Sequence, residues 1–156
     1  MKQVIFYGII VLMIGMVSCK SRQAGSNKST SDSTVAADTK KAIVEKYWKL
    51  TAVFGEPVIT PEGGREAHII LKQEDNRVNG NTGCNSLGGT YTLEAGNKIR
   101  FSQMVTTLMM CLNNNVETKF KNALEKTDHF VVNGDTLRFF DSNKEHVASF
   151  EAVYLK

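Results

Sequence analysis

The sequence VNGNTGCNSLGGTY, residues 78–91, combines four glycines with several short polar side chains. Gly80 and Gly83 permit backbone conformations that are closed to other residues. The side chain of Asn85 can bond its own backbone and thereby fix a turn. We therefore interpret the stretch as architectural, a place where loops cross and are stabilised. The alternative is that the same residues line a binding surface.

Two strands are predicted on the amino-terminal side of this stretch. Residues 46–54 alternate with the period of a half-buried strand. The face expected to be buried consists of Trp48, Leu50, Ala52 and Phe54. Residues 55–66 carry both prolines and are predicted to form a loop before a strand over 67–71. Residues 77–80 either continue that strand or pair with it.

Hairpins are predicted on the carboxyl-terminal side. Residues 88–93 and 98–101 read as strands joined by a turn-rich connection over 94–97. A second hairpin joins 130–132 to 136–140 through Asn133-Gly134-Asp135, because Asn-Gly is favoured where a tight turn needs positive φ. An alternating strand over 146–154 is expected to close the sheet.

One segment has helical periodicity instead. Its apolar positions are Val116, Phe120, Ala123, Leu124 and Thr127. Glu117 follows Asn114 by three residues, as in a capping box. We predict one short helix with its lysine-rich face in solvent.

Cys84 and Cys111 can form a disulfide if the domain lies in an oxidising compartment. Such a bridge encloses about 28 residues and would stabilise the fold by roughly 3 to 4 kcal/mol in the chain-entropy model. Two other interpretations stay open, namely a pair of buried free thiols and a redox-active pair. No Cys-x-x-Cys spacing supports the redox-active pair.

The methionines near the second cysteine form a soft apolar patch. Met104, Met109 and Met110 lie close in sequence to Leu108 and Leu112. Core filling is the expected role of this patch, and an adaptable binding surface is the alternative.

Taken in order, these residues resemble the META-domain family of HslJ-like bacterial envelope proteins. A Gly-Cys-Asn is followed by Gly-x-Tyr, a strand, and Thr-x-Met-x-Cys, all downstream of Trp-x-Leu. The residues that carry the resemblance are Trp48, Gly83, Cys84, Asn85, Gly89, Tyr91, Thr107, Met109, Cys111 and Glu117. The resemblance covers residues 46–154, and Leu108 departs from it where the family often has Arg or Lys.

The resemblance implies an α+β fold that is mostly β. Its sheet is single, antiparallel and strongly bent, like a cracked barrel, with one short helix packed on it. It also implies links to outer-membrane, stress and antibiotic-tolerance phenotypes without an established enzyme activity. Because Leu108 replaces the basic residue, no role of that side chain is carried over to this chain.

The amino terminus has the pattern of an export signal. An apolar run from Val4 to Val17 follows Lys2 and is shorter than the roughly 20 residues needed to cross a bilayer. Ser18-Cys19 at its end resembles a bacterial lipoprotein signal, which implies lipidation at Cys19. An uncleaved anchor helix is the alternative. Either interpretation places the rest of the chain outside the cytoplasm and attached to a membrane.

The domain boundaries follow from composition. Residues 1–18 are the predicted signal peptide, 19–41 the lipidated cysteine and a flexible tether, and 42–156 the META-like domain. Residues 20–41 contain no aromatic side chain and cannot bury enough surface to order themselves. Removing the signal peptide lowers the formal charge from +3 to +2, since Lys2 is its only charged residue. The basic residues are not clustered, so a nucleic-acid partner is not expected.

Catalytic and metal-binding patterns are not found in the sequence. His68, His129 and His146 lie far apart and form no motif that would place ligands on one helical face. There is no Gly-x-Ser-x-Gly elbow and no phosphate-binding loop. We expect no catalytic residues, no metal and no cofactor.

The favoured hypothesis is a monomeric, non-enzymatic, lipid-anchored envelope protein, which the family resemblance places at the outer membrane. It would support membrane integrity or stress tolerance through contacts with another envelope protein. Two alternatives belong to other classes. One is a carrier that holds a small apolar ligand or lipid inside the barrel, and the other is a thiol redox or hydrolytic enzyme centred on Cys84 or Cys111.

Overall fold

A computed structural model describes residues 40–111 and 115–154 of the chain. Within those ranges it contains nine strands and one α-helix of three turns, α1 (Asn115–Lys126), together with a short helical segment over residues 40–43 and a 3-10 turn at Glu74–Asn76. The strands are β1 (Tyr47–Val53), β2 (Glu56–Pro57), β3 (Ala67–Leu71), β4 (Arg77–Thr82), β5 (Ser86–Glu94), β6 (Lys98–Thr106), β7 (His129–Asn133), β8 (Thr136–Phe140) and β9 (His146–Val153). In the described residues, no helix is long and apolar enough to cross a bilayer.

All strands belong to one antiparallel sheet that curls into a ring. β1 pairs with β3 and the short β2 along one side and with β9 along the other, which closes the ring. The weakest junction lies between β6 and β7, whose strand pairing is Lys98 with His129. Helix α1 connects these two strands in the chain. The predicted cracked-barrel fold with one packed helix is therefore confirmed.

The interior of the ring is filled by large side chains. The largest aromatic ones are Trp48, Tyr91, Phe120, Phe139 and Phe150, each with at most 1% of its surface exposed. Phe150 packs against Phe120 and Phe139 with ring centroids 5.9 and 5.0 Å apart. Because Phe120 belongs to α1 and Phe150 to β9, these contacts attach the helix to the sheet. Burying each such side chain contributes about 1.5 to 3 kcal/mol.

Trp48 and Tyr91 each combine apolar burial with one satisfied polar atom. The Trp48 Nε1 donates to the carbonyl oxygen of Ile43 at 2.8 Å. The Tyr91 hydroxyl donates to the carbonyl oxygen of Lys72 at 3.0 Å. Ile43 and Val44, to which the sequence analysis gave no role, are also buried. Trp48 therefore attaches the chain before β1 to the core, and Tyr91 attaches the chain after β3.

The prediction that Phe54 shares the buried face of β1 is wrong. The register between β1 and β9 shifts between Leu50 and Ala52, so β1 holds one extra residue at a bulge. After a bulge the alternation is reversed. Val53 is consequently buried, while Phe54 has positive φ and is 37% exposed. Ala52 is only partly buried.

Both predicted hairpins are present, and one strand is longer than expected. The two-residue turn consists of Gly134 and Asp135, because Asn133 is still paired with Thr136, and Gly134 has the positive φ, 56°, at its first position. β6 continues to Thr106 rather than ending at residue 101, and its pairing with β5 contains a bulge. There Gln103 has a φ of 52°.

Two glycines of the 78–91 stretch are explained by close packing rather than by unusual φ. A Cβ on Gly89 of β5 would overlap the sulfur of Met104, a residue of β6 that lies beside the bulge between the two strands. A Cβ on Gly80 would overlap the carbonyl oxygen of His68 on the paired strand β3. Gly83, in contrast, has a φ of 93° and needs the freedom of glycine for its backbone.

Replacing Gly80 with Ala should destabilise the domain by roughly 3 kcal/mol, since the clash is with backbone that cannot rotate away. The matched control is Gly88→Ala on the neighbouring strand, where a Cβ meets only ordinary van der Waals contacts. We expect the control to change stability by less than about 1 kcal/mol. Urea unfolding of both variants measures the difference, and equal midpoints would contradict the packing account.

Candidate functional site

The side chain of Asn85 is the centre of a buried hydrogen-bond network between β4, β5, α1 and the loop after β6. Its Oδ1 accepts hydrogen bonds from the Thr107 hydroxyl at 2.8 Å and from the backbone N–H of Met109 at 2.7 Å. Its Nδ2 donates to Glu117 Oε2 at 2.9 Å and to the Met109 carbonyl oxygen at 3.2 Å. Asn85 thus bonds both backbone groups of Met109.

Glu117 is 9% exposed and lies in the first turn of α1. A buried carboxylate is costly unless hydrogen-bond donors compensate for lost water. Asn85 supplies one such donor, and the amino-terminal end of the helix dipole favours a negative charge at this position. The Asn114 of the predicted capping box lies outside the described residues. The burial of Glu117 and its bond to Asn85 were not foreseen from the sequence.

The turn that carries Asn85 is fixed by its own polar residues. The Thr82 hydroxyl accepts the backbone N–H of Asn85 at 2.9 Å, and the Asn81 Oδ1 accepts that of Gly83 at 2.8 Å. Thr82 N also donates to the carbonyl oxygen of Asn85 at 2.8 Å. These bonds place the Asn85 side chain toward the helix. Sequence reasoning assigned no role to Asn81 or Thr82, although short polar residues beside glycine are typical of such turns.

Cys84 and Cys111 are joined by a disulfide, with their Cα atoms 6.0 Å apart. Cys84 directly precedes Asn85. Cys111 lies at the end of the loop after β6, two residues beyond Met109, which Asn85 binds. The disulfide and the amide therefore hold the same loop from two adjacent positions. Thr107 fixes the start of the loop, because its N–H donates to the Ser86 carbonyl oxygen at 3.1 Å and its hydroxyl accepts the Ser86 N–H.

Between these attachments the chain exposes three large apolar side chains, which we call the apolar loop (residues 108–110). Leu108 is 97% exposed, Met110 is fully exposed and Met109 is about half exposed. The expectation that this patch fills the core is wrong for these residues and holds for the partly buried Met104. Leu112 lies outside the described residues. The backbone of the apolar loop is attached at Met109, while its side chains face solvent.

A groove of about 320 Å³ runs beside the disulfide. Its walls include Val58, Ile59 and Pro61 from the loop before β3 and Val116 from α1. Cys111, next to the apolar loop, and Glu117 complete the wall nearest the network. We call this space the disulfide groove. The apolar loop and the groove are continuous through Cys111.

The structure brings together six of the ten motif residues. Those in the network are Cys84, Asn85, Thr107, Met109, Cys111 and Glu117, with Gly83 in the adjoining turn. Trp48, Gly89 and Tyr91 lie elsewhere and serve the core and the β5–β6 packing. The polar members of the motif thus hold a loop, and Glu117 together with the two cysteines also lines the disulfide groove.

Another cluster of titratable side chains lies on the outer face of β1 and β3. Lys49 and Tyr47 both bond the Glu66 carboxylate, and the Tyr47 ring stacks on His68 at 4.2 Å. Partial burial and the nearby Glu66 charge raise the pKa of Tyr47 to about 12. A phenol with so high a pKa stays protonated at neutral pH, so Tyr47 is not poised as a base. In the described residues, no group of three His, Cys, Asp or Glu is placed to hold a metal ion.

Replacing Asn85 with Ala should cost about 2 to 4 kcal/mol of stability, because it removes partners of the buried Glu117, Thr107 and the Met109 N–H. The exposed Asn79→Ala on β4 is the control and should change stability by less than about 0.5 kcal/mol. Urea unfolding measures both. Hydrogen exchange at the Met109 amide should also quicken in the Asn85 variant. An unchanged exchange rate would contradict the proposed attachment.

Reductant should lower the unfolding midpoint of the wild-type domain, since opening the disulfide removes a constraint worth roughly 3 to 4 kcal/mol. The Cys84→Ser/Cys111→Ser variant should start at the lower midpoint and be insensitive to reductant. Thermal or urea unfolding with and without a thiol reductant makes the comparison. If both proteins respond equally, the disulfide does not contribute as stated.

Comparisons with solved structures agree on the fold. A protein from Burkholderia xenovorans, solved by NMR, superposes with a TM-score of 0.62 at 21% identity, covering 76% of this chain and 88% of that one. A DUF4847 family protein from Bacteroides vulgatus, solved by crystallography, superposes with a TM-score of 0.55 at 12% identity, covering 76% and 99%. A search of curated proteins finds no match to this chain.

The family model described as the META domain matches residues 41–154, which include every described strand, α1 and the Asn85 network. A match over this much of the chain carries the family assignment, and the likeness to solved structures concerns the fold alone. The chain belongs to the META-domain family.

Proposed function

We propose that this protein is a lipid-anchored, non-enzymatic component of the cell envelope that acts through contacts with another protein. We place it at the outer membrane, as a monomer without a cofactor, where it supports membrane integrity or stress tolerance. The single observation that carries the proposal is the apolar loop, exposed and yet attached at Met109 and Cys111. Exposed apolar side chains on a fixed backbone are typical of interaction surfaces.

The chemistry of the motif supports a non-enzymatic role. The side chain of Asn85 forms hydrogen bonds with Thr107, with Glu117 and with the loop backbone at Met109. A thiol enzyme centred on the cysteines would need a free thiolate, whereas both cysteines lie in the disulfide. The side chains that would supply reactivity therefore hold the surface in place.

The carrier alternative is disfavoured by how the ring is packed. A small apolar ligand would need a cavity of a few hundred Å³ inside it. That interior is occupied by the buried aromatic side chains and by the apolar face of α1. The disulfide groove has a suitable volume, but it is an open feature beside the loops.

The anchor rests on the sequence pattern around Cys19, which lies outside the described residues. Membrane fractionation of wild type and Cys19→Ala tests it. The wild type should pellet with membranes and carry a lipidated amino terminus by mass spectrometry, and the variant should lose both properties. A full-length, unmodified amino terminus in the soluble cell interior would reject the proposed anchor and placement.

The role of the apolar loop is tested by complementing a deletion strain and measuring uptake of an apolar dye across the outer membrane. A Leu108→Ser/Met110→Ser variant should behave like the deletion, because the contact surface is lost while the core is untouched. Val131→Ser is the control, since Val131 is exposed on β7 away from the apolar loop. Wild-type dye uptake in the Leu108/Met110 variant, at equal protein level, would overturn the proposed role.

A further inference from the structure

The ring has two ends that differ in what they carry. The chain enters at one end, which we call the proximal rim (residues 44–46 and 72–76), where Glu45 N bonds the carbonyl oxygen of Leu71. The opposite end, the distal rim, comprises residues 54–65, 83–85, 107–111 and the first turn of α1. β3 runs between the two rims, from Ala67 beside Thr82 to Leu71 beside Val78. The apolar loop and the disulfide groove both belong to the distal rim.

The distal rim presents a mixed convex and concave apolar surface. Leu108 and Met110 are exposed on the apolar loop, and Ile59, which is 80% exposed, lines the groove. A partner surface would need both an apolar side chain for the groove and an apolar patch for the loop. Methionine side chains adapt to partners of irregular shape, so the fixed backbone does not require one exact contour.

The accessible charge in the groove is positive. Arg65 lines the groove and is exposed to solvent. Glu117, which also lines it, is largely buried and bonded to Asn85. Arg65 therefore favours an occupant that carries a carboxylate close to its apolar side chain.

Two observations favour a protein over the bilayer as the occupant. The described chain enters the domain at the proximal rim, so an anchor at Cys19 would attach the domain at the end opposite the apolar loop. Surfaces that bind membranes are also rich in Lys and Arg around their apolar side chains. On the distal rim the charge of Lys119 of α1 is already offset by its ion pair with Glu56.

We propose that the distal rim docks an apolar segment of a second envelope protein, with one apolar side chain in the disulfide groove and an adjacent acidic residue on Arg65. This inference rests on the proposed function and deepens it, because it gives the chemistry of the partner. Leu108, Met110 and Ile59 form the apolar contact. The disulfide maintains the surface by fixing Cys111 at the junction of loop and groove.

The test uses the full chain in intact cells, with the photo-crosslinking residue benzoylphenylalanine placed at position 110, 59 or 131. Positions 110 and 59 should capture the same protein, while position 131 on β7 should not. Mass spectrometry of the crosslinked peptide should find a large apolar residue with Asp or Glu beside it. Capture only of phospholipid, only of a second copy of this chain, or of nothing would each overturn the proposal.

A synthetic peptide with the captured segment then tests the named contacts by titration into the purified protein. Leu108→Ser should weaken binding about tenfold, as expected for the loss of a buried leucine. Arg65→Glu should weaken it about three- to tenfold, and wild-type binding should weaken with added salt. The matched controls are Val131→Ser and Arg138→Glu, a cross-strand pair on β7 and β8 that should bind like wild type.

Equal losses in the control variants, or none in Leu108→Ser and Arg65→Glu, would overturn the named contacts. The result is separable from the proposed function. If crosslinking fails while Leu108→Ser/Met110→Ser still raises dye uptake, the envelope role stands and the partner chemistry is rejected. If dye uptake is unaffected, the envelope role is rejected whatever the crosslinking shows.

Discussion

The Asn85 amide is the interaction on which the rest of the structure depends. A buried amide is tolerated only when its donors and acceptors find partners, because each unpaired group costs free energy. Here the partners come from Thr107, Met109 and Glu117, three positions far from Asn85 in the chain. The amide therefore requires β5, the loop after β6 and the start of α1 to meet at one point. The disulfide reinforces the same meeting point.

This constraint explains how an open ring is held together. The sheet is closed by β1 and β9 but is barely paired between β6 and β7. The segment that joins β6 to β7 contains both the apolar loop and α1. Because that segment is fixed at Met109, Cys111 and Glu117, α1 packs over the interior of the ring. There Phe120 of the helix contacts Phe150 of β9. The junction of β6 and β7 is also supported by an ion pair between Arg100 and Asp128 at 3.0 Å.

The same arrangement separates stability from surface chemistry. Asn85, Thr107, Cys84 and Glu117 are directed at the protein itself, so their replacement is expected to act through the fold. Leu108, Met110 and Ile59 contribute little to the core because they face solvent. Their side chains can vary without loss of the network beneath them.

Local patterns in the sequence were sufficient for most elements. Strand alternation around Trp48, the hairpin turn at Gly134 and the helical spacing of Phe120, Ala123 and Leu124 each reflect neighbours along the chain, and the structure contains each of them. Prediction failed where one residue changes the register. The bulge before Ala52 turned Phe54 outward, and no local signal marks it.

The sequence established the mostly β class, the presence of α1 and the position of the polar motif, since all of these depend on periodicity and residue type. Only the tertiary structure decided that Glu117 is buried against Asn85, 32 residues away. It also decided that Met109 and Met110 of the apolar loop are exposed to solvent. Such outcomes depend on which distant segments meet when the ring closes. Whether a side chain is buried depends on these tertiary contacts, so it cannot be read from the neighbouring residues in the sequence.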